Sequence, residues 1–267
     1  MSNFLDWKGL GYHAFPLSEA TPGFVSAADA ALWRDFEDLL QRARAGDSAD
    51  LQRAIALYDA SESWILSAAL VDLMGDAGDA RVLQRILAIA EAMVDPDYQV
   101  DMCRILAVWG RLSVVPLLLS SWVELEGYDD RDEIPELLSR LLEPEPGPIA
   151  MAAASEESED FAALVMQCYE QRRVELGGDD TIVLRGARFD VRSLAETVLA
   201  SAARGELEPW LRRRFEASTG IDCRGFYDDG LLQPLAVAAV VESFLEVTPA
   251  DSYVEGVRYF FGRALEG

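Results

Sequence analysis

Apolar residues recur along most of this chain at spacings of three and four, the period of one helical face. Leu32, Phe36, Leu39 and Leu40 set the pattern, and Gly46-Asp47 ends it. Ser26-Ala27-Ala28-Asp29 reads as its start, because Ser26 can cap and Asp29 suits the positive end of the helix dipole. A short helix follows at Leu51, Ile55 and Leu57-Tyr58. Trp64, Ala68, Val71 and Met74 mark another, closed by Gly75-Asp76-Ala77-Gly78. Val82, Ile86, Ile89-Ala90 and Met93 continue to a stop at Asp95-Pro96. Val100, Cys103, Leu106-Ala107 and Trp109 then run into Gly110, and residues 114–123 make the next helix. Strand alternation is nearly absent here. Residues 1–25, with aromatics, glycines and prolines but no period, read as an irregular segment over the first helices.

The character changes at 143–160, where Pro, Gly, Ser and acids dominate, as in a linker. Beyond it the pattern predicts helices near 161–176, 190–203, 207–217, 231–245 and 254–261. Thr181-Ile182-Val183-Leu184 is the one plausible strand, too short to define a sheet. The expected division is therefore 1–142, an irregular segment plus helical repeats; 143–160, an acidic linker; and 161–267, a mainly helical region. The expected fold class is all-α.

Two windows align, Ala68-Ala69-Leu70-Val71-Asp72-Leu73-Met74-Gly75 and Cys103-Arg104-Ile105-Leu106-Ala107-Val108-Trp109-Gly110, each followed by a second apolar helix. This helix, glycine-centred turn, helix pattern over about residues 35–142 resembles HEAT repeats, including Val115-Pro116-Leu117-Leu118 at the start of a second helix. The resemblance implies stacked antiparallel helical hairpins, an α-solenoid in which each pair buries its apolar face on the next. The other reading is a non-repetitive helical domain with coincidental turns.

Charge narrows the function. The 267 residues are 51% hydrophobic, ample for a core, and carry 23 Lys+Arg against 47 Asp+Glu, a net charge of −24. Such a surface repels phosphate backbones and anionic lipid, so nucleic acid and membrane are excluded as partners, and a partner held by electrostatics should be basic. Lys8 is the only lysine; an arginine-rich cation set is ordinary for a GC-rich genome. His13 is the only histidine, which removes metal sites needing two or three imidazoles and leaves one candidate for any Ser-His or Cys-His mechanism. Cys103, Cys168 and Cys223 make no disulfide framework, and the first residues form no signal peptide, so a cytoplasmic location is expected. The most apolar windows, 112–123 and 231–241, are short for a span of about 20 residues and contain Pro116 and Pro234. No catalytic, cofactor or metal residue is assigned, an enzyme is not expected, and the oligomeric state stays open.

Individual motifs weigh little. Gly9-Leu10-Gly11-Tyr12-His13-Ala14 spells a dinucleotide fingerprint, but no strand precedes it and Pro16 follows, so it reads as a turn. Reading Asp130 as the first position of a Ca²⁺ loop places Pro135 where glycine is required. Cys103 and Cys168 read as packing residues. Cys223, beside Arg224, is the one with an electropositive neighbour, and its convergence with His13 is not expected. Arg212-Arg213-Arg214 should point in different directions around a helix and pair with Glu206, Glu208 or Glu216. The informative stretch is 124–160, with thirteen Asp/Glu against Arg131 and Arg140. It is either a solvated linker or a docking surface for a basic protein. The docking reading assigns Glu124, Glu126, Tyr128, Asp129, Asp130, Asp132 and Glu133, with Tyr128 and Trp122 as aromatic anchors or core.

The C-terminal block reads Gly220-Ile221, Leu232-Gln233-Pro234-Leu235, Phe244-Leu245, Tyr253 and Gly256-Val257-Arg258-Tyr259-Phe260-Phe261-Gly262. Over about 45 residues it resembles small acidic bacterial immunity proteins encoded beside secreted polymorphic toxins. The resemblance implies an immunity protein of a type VI or contact-dependent effector–immunity pair, whose partner is a cognate toxin or effector; many toxins of this kind are nucleases with basic clefts. No functional residue carries over, since such interfaces differ from pair to pair. The alternative is a helical-repeat scaffold or adaptor for a partner that is not a toxin.

Overall fold

The computed structural model describes residues 10–16, 30–92, 95–145, 147–152 and 158–265, and these are mainly α-helical, with only small two-stranded sheets. The start signal at Ser26–Asp29 and most of the irregular segment lie outside the described residues. Two compact units form, one from residues 1–79 and 190–267, the other from 80–189. The division therefore differs from the one expected at 143–160, which falls inside the second unit. Among the described residues no helix is long and apolar enough to cross a membrane.

The first unit holds α1 (Ala30–Arg44), α2 (Arg53–Ala60) and α3 (Trp64–Ala77). Gly46, with φ 88°, closes α1 by donating to the Ala43 carbonyl while Asp47 donates to Arg42. Helix α3 ends at Gly78, the last residue of the expected stop, and Gly75 lies inside the helix and is buried. That alters the alignment with Gly110, which does end its helix.

The second unit holds α4 (Ala80–Ala92), α5 (Pro96–Trp109), α6 (Val115–Glu124), α7 (Glu133–Leu142), α8 (Pro148–Ala152) and α9 (Ser158–Leu176). Asp95 accepts a hydrogen bond from the Asp97 N–H at 3.0 Å and Pro96 opens α5, while Gly110 closes it with φ 75°. Helix α7 is central: Ile134, Leu137, Leu138 and Leu141 are buried, and α5, α6, α8 and α9 pack against it.

The stretch expected to be a linker is anchored at its start. Glu143 is buried and accepts from Ser139 Oγ (2.7 Å), Gly147 N (3.2 Å), Ile149 N (2.9 Å) and Ala150 N (3.3 Å). One carboxylate thus serves the free amides that open α8, which turns a composition typical of linkers into fixed structure. Residues 146 and 153–157 lie outside the described residues.

Two-residue strands then appear where the sequence offered one. β1 (Val183–Leu184) pairs with β2 (Ala187–Arg188) in the second unit. In the first unit, α10 (Val191–Ala203) and α11 (Pro209–Thr219) precede β3 (Tyr227–Asp228) and β4 (Leu231–Leu232). Helix α12 (Pro234–Val247) follows, then β5 (Tyr259–Phe260), inside the stretch 254–261 expected to be a helix, and β6 (Arg263–Ala264). Each hairpin turns on two residues of positive φ: Arg185-Gly186, Asp229-Gly230 and Phe261-Gly262.

Candidate functional site

The acidic stretch forms the corner between α6 and α7. Trp122 on α6 is buried, with its ring centroid 4.4 Å from that of Phe161, so it is core and not an interface anchor. Arg131 turns inward over that ring at 4.0 Å and donates from Nε to the Trp122 carbonyl at 2.7 Å. Arg131 is the only basic residue between Glu124 and Glu133, and its guanidinium is engaged with Trp122. Leu125 is buried beneath the corner, and Gly127, at φ 91°, lets the backbone reverse.

Glu124, Glu126 and Asp132 consequently stand exposed, Asp130 half-exposed, and between them Val123 and Tyr128 are 51% and 53% exposed. Asp129 opens the 3₁₀ turn Asp129–Asp132, and its side chain lies outside the described residues. Glu133 departs from the expectation. Its carboxylate accepts from Arg104 Nε (2.8 Å) and Nη2 (2.6 Å), and Arg104 also pairs with Asp101. Burial would raise the Glu133 carboxyl, but the Arg104 guanidinium outweighs it and holds the group below the ordinary carboxylate range. Glu133 belongs to the framework. The exposed set is Val123, Glu124, Glu126, Tyr128 and Asp132, an aromatic and an aliphatic side chain among carboxylates.

A second concentration of charge lies in the first unit, and it is buried. Arg212, Arg213 and Arg214 do leave α11 in different directions, yet every direction is interior. Arg212 Nη1 donates to Glu216 Oε2 at 2.8 Å, with both side chains fully buried. Arg213 pairs with Asp72 and lies 3.2 Å from Asp76, and Arg214 donates to Asp76 at 2.9 Å. Glu216 was one expected partner; Glu206 instead takes Arg204 at 2.9 Å, while Asp72 and Asp76 of α3 were not foreseen. Tyr12 donates its hydroxyl to Asp76 at 2.8 Å, and burial, reinforced by the Asp76 charge, pushes its phenol well above the ordinary value. Arg258 donates to the carbonyls of Gly75, Asp76 and Gly78.

This cluster also disposes of the remaining motifs. Gly11, at φ 64°, lies where a Cβ would fall on Glu216 Oε2 and Arg212 Nη1. Its glycine permits close approach to an ion pair rather than to a pyrophosphate. His13 donates its backbone N–H to Glu216 at 2.9 Å, and its Nε2 sits 2.8 Å from the Gly220 carbonyl oxygen. That brings His13 to the loop of Cys223 after all. Cys223 is buried, however, and burial with the nearby Glu216 charge drives its thiol well above the ordinary value, the reverse of a nucleophile. Burial likewise pushes the Cys103 thiol up to about 11. The convergence is structural.

Comparison with known family models, curated proteins and solved structures finds no match to this chain.

Proposed function

We propose that this protein is an immunity protein that binds a cognate secreted toxin stoichiometrically and silences it through the acidic corner of α6 and α7. The observation that carries the reading is the exposed Tyr128 and Val123 set among Glu124, Glu126 and Asp132, with the intervening Arg131 half-buried against the Trp122 ring. An exposed ring ringed by carboxylates offers a desolvated anchor and a field that speeds association with a basic partner. A toxin with a basic substrate cleft, such as a nuclease, fits that chemistry. The net charge of −24 and the resemblance of the C-terminal block to immunity proteins point the same way.

The test is co-purification of the tagged chain from its native host at low and high salt, read by mass spectrometry. One stoichiometric basic partner carrying a secreted-toxin domain, lost in high salt, is the expected result. Several housekeeping partners, or none, would move the reading to a helical scaffold. Charge reversal at Glu124, Glu126 and Asp132 should weaken binding to that toxin at least tenfold and flatten its salt dependence; unchanged affinity would remove the corner from the interface.

A further inference from the structure

A different surface, on the first unit, is a wider apolar face edged by acids. From Leu231 to Val241 the only polar residue is Gln233, so the first two turns of α12 are apolar on every side. A helix of that composition is normally enclosed. Here only one side is. Val237, Val241 and Phe244 are buried, with Phe244 set edge-on to Phe215 at 5.4 Å, and α12 lies on α10. The opposite side carries Leu235, 87% exposed, and Ala239 one turn on, while Leu231 at the foot of the preceding hairpin is 70% exposed.

Carboxylates bracket this stripe at both ends. Asp228 is the cross-strand partner of Leu231, Asp229 forms the adjoining turn, and both are exposed. Glu242 and Glu246 continue the Leu235–Ala239 stripe at helical spacing and are exposed as well. A second copy of the chain laid on this face would bring the same acids against themselves, in a molecule already at −24. The complementary occupant has an apolar centre and cationic ends.

We propose that the outer face of α12, with Leu231, Leu235 and Ala239 at its centre, is a docking site for an amphipathic basic helix of another protein. Its apolar side chains cover Leu231 and Leu235, and its Lys or Arg residues meet Asp228, Asp229, Glu242 and Glu246. The site is separate from the Tyr128 corner and stands without it.

The probe is a fluorescent 18-residue peptide of leucine and lysine alone, with leucines at i, i+3, i+4 and i+7. The control is an isomer of the same composition with no apolar face. Fluorescence anisotropy should show saturable binding of the first peptide to the full chain and at least tenfold weaker binding of the isomer. Leu235→Asp should abolish most of that preference, and Glu242→Lys with Glu246→Lys should weaken binding and reduce its salt dependence. Because Leu235 is exposed, far-ultraviolet circular dichroism and the unfolding midpoint should not move; should Leu235→Asp fail to fold, Leu235→Ser and the Glu242/Glu246 pair carry the test. Equal affinity for the two isomers would overturn the proposal. So would a concentration-dependent dimer in sedimentation that Leu235→Ser dissolves, since a second copy would then cover the face.

Discussion

The hairpins β1–β2 and β5–β6 perform one task on different helices. In the second unit, Arg185 N donates to the Arg140 carbonyl (2.7 Å) and Gly186 N to Leu141 (2.8 Å), so the hairpin turn satisfies the last carbonyls of α7. In the first unit, Phe261 N donates to Ala217 (2.6 Å) and Gly262 N to Ser218 (3.0 Å), which does the same for α11. Both hairpins also reach a second helix end, and there they part. Val183 N bonds Gly110 O at 2.7 Å after α5, with Leu112 N to Thr181 O beside it, a backbone solution. Around the end of α3 the reach is made by the guanidinium of Arg258. A backbone bridge needs close approach and a glycine. A side-chain bridge spans further but places a cation in the interior, next to Asp72 and Asp76, which Arg213 and Arg214 already pair. One geometry has been reached with dipoles in one unit and with full charges in the other.

If that contrast holds, the charged version should be the more brittle. Asp76→Ala removes the acceptor of Arg213, Arg214 and Tyr12 and leaves buried cations behind, which should cost about 3–5 kcal/mol in denaturant unfolding. A loss below about 1 kcal/mol would mean the cluster is solvated. The backbone version should be brittle elsewhere. Gly186→Ala places a Cβ 2.6 Å from the Leu142 carbonyl at φ 71°, whereas Gly262→Ala meets Thr219 O at an ordinary 3.7 Å. The first should cost about 2–4 kcal/mol and the second about 1–2, mainly the left-handed backbone; equal losses would break the comparison.

Tyr12→Phe deletes one hydrogen bond to a carboxylate, about 1–2 kcal/mol at neutral pH. Its pH signature is more telling. The folded phenol titrates above the unfolded value of 10, so the native state holds the proton longer, and the stability is present below pH 10 and lost as pH rises through the folded value. Alkaline unfolding of Tyr12→Phe should therefore be less steep above pH 10. Smallest should be Glu133→Gln, about 1 kcal/mol or less, since its pair with Arg104 is only partly buried.

The helices were legible because each carries its own period and punctuation. Asp190 caps α10 by accepting from Ser193 N where that helix was expected to start, and Gly110 closes α5 as expected, while Asp95-Pro96, read only as a stop, also opens α5. The hairpins were not, because two residues cannot display an alternation; the Asp229-Gly230 dipeptide, between Tyr227-Asp228 and Leu231-Leu232, was the available signal. The arginine run was half legible: its divergence and the Arg212–Glu216 pair follow from helical spacing, but Asp72 and Asp76 do not. Divergent side chains imply solvent only on a helix with an open side, and α11 is packed by α3, α10, β5 and the turn at Tyr12–Ala14. The acidic corner was half legible. The exposure of Glu124, Glu126 and Tyr128 follows from local polarity, but Glu133 and Trp122 are claimed by Arg104 and Phe161, 29 residues upstream and far downstream, which no local pattern announces.

The order of synthesis inherits a constraint from the buried cluster. Asp72 waits for Arg213 across 141 positions, Asp76 for Arg214 across 138, and Arg258 returns to Gly75 across 183. All of the second unit emerges from the ribosome inside those gaps, so its helices can close first while the acids of α3 remain in water. The first unit is then sealed in one late step, when residues 209–264 arrive. A nascent chain stalled before residue 209 carries the whole second unit, while the first unit still lacks the arginines that pair with Asp72 and Asp76, so the larger unit closes only after residues 209–264 are made.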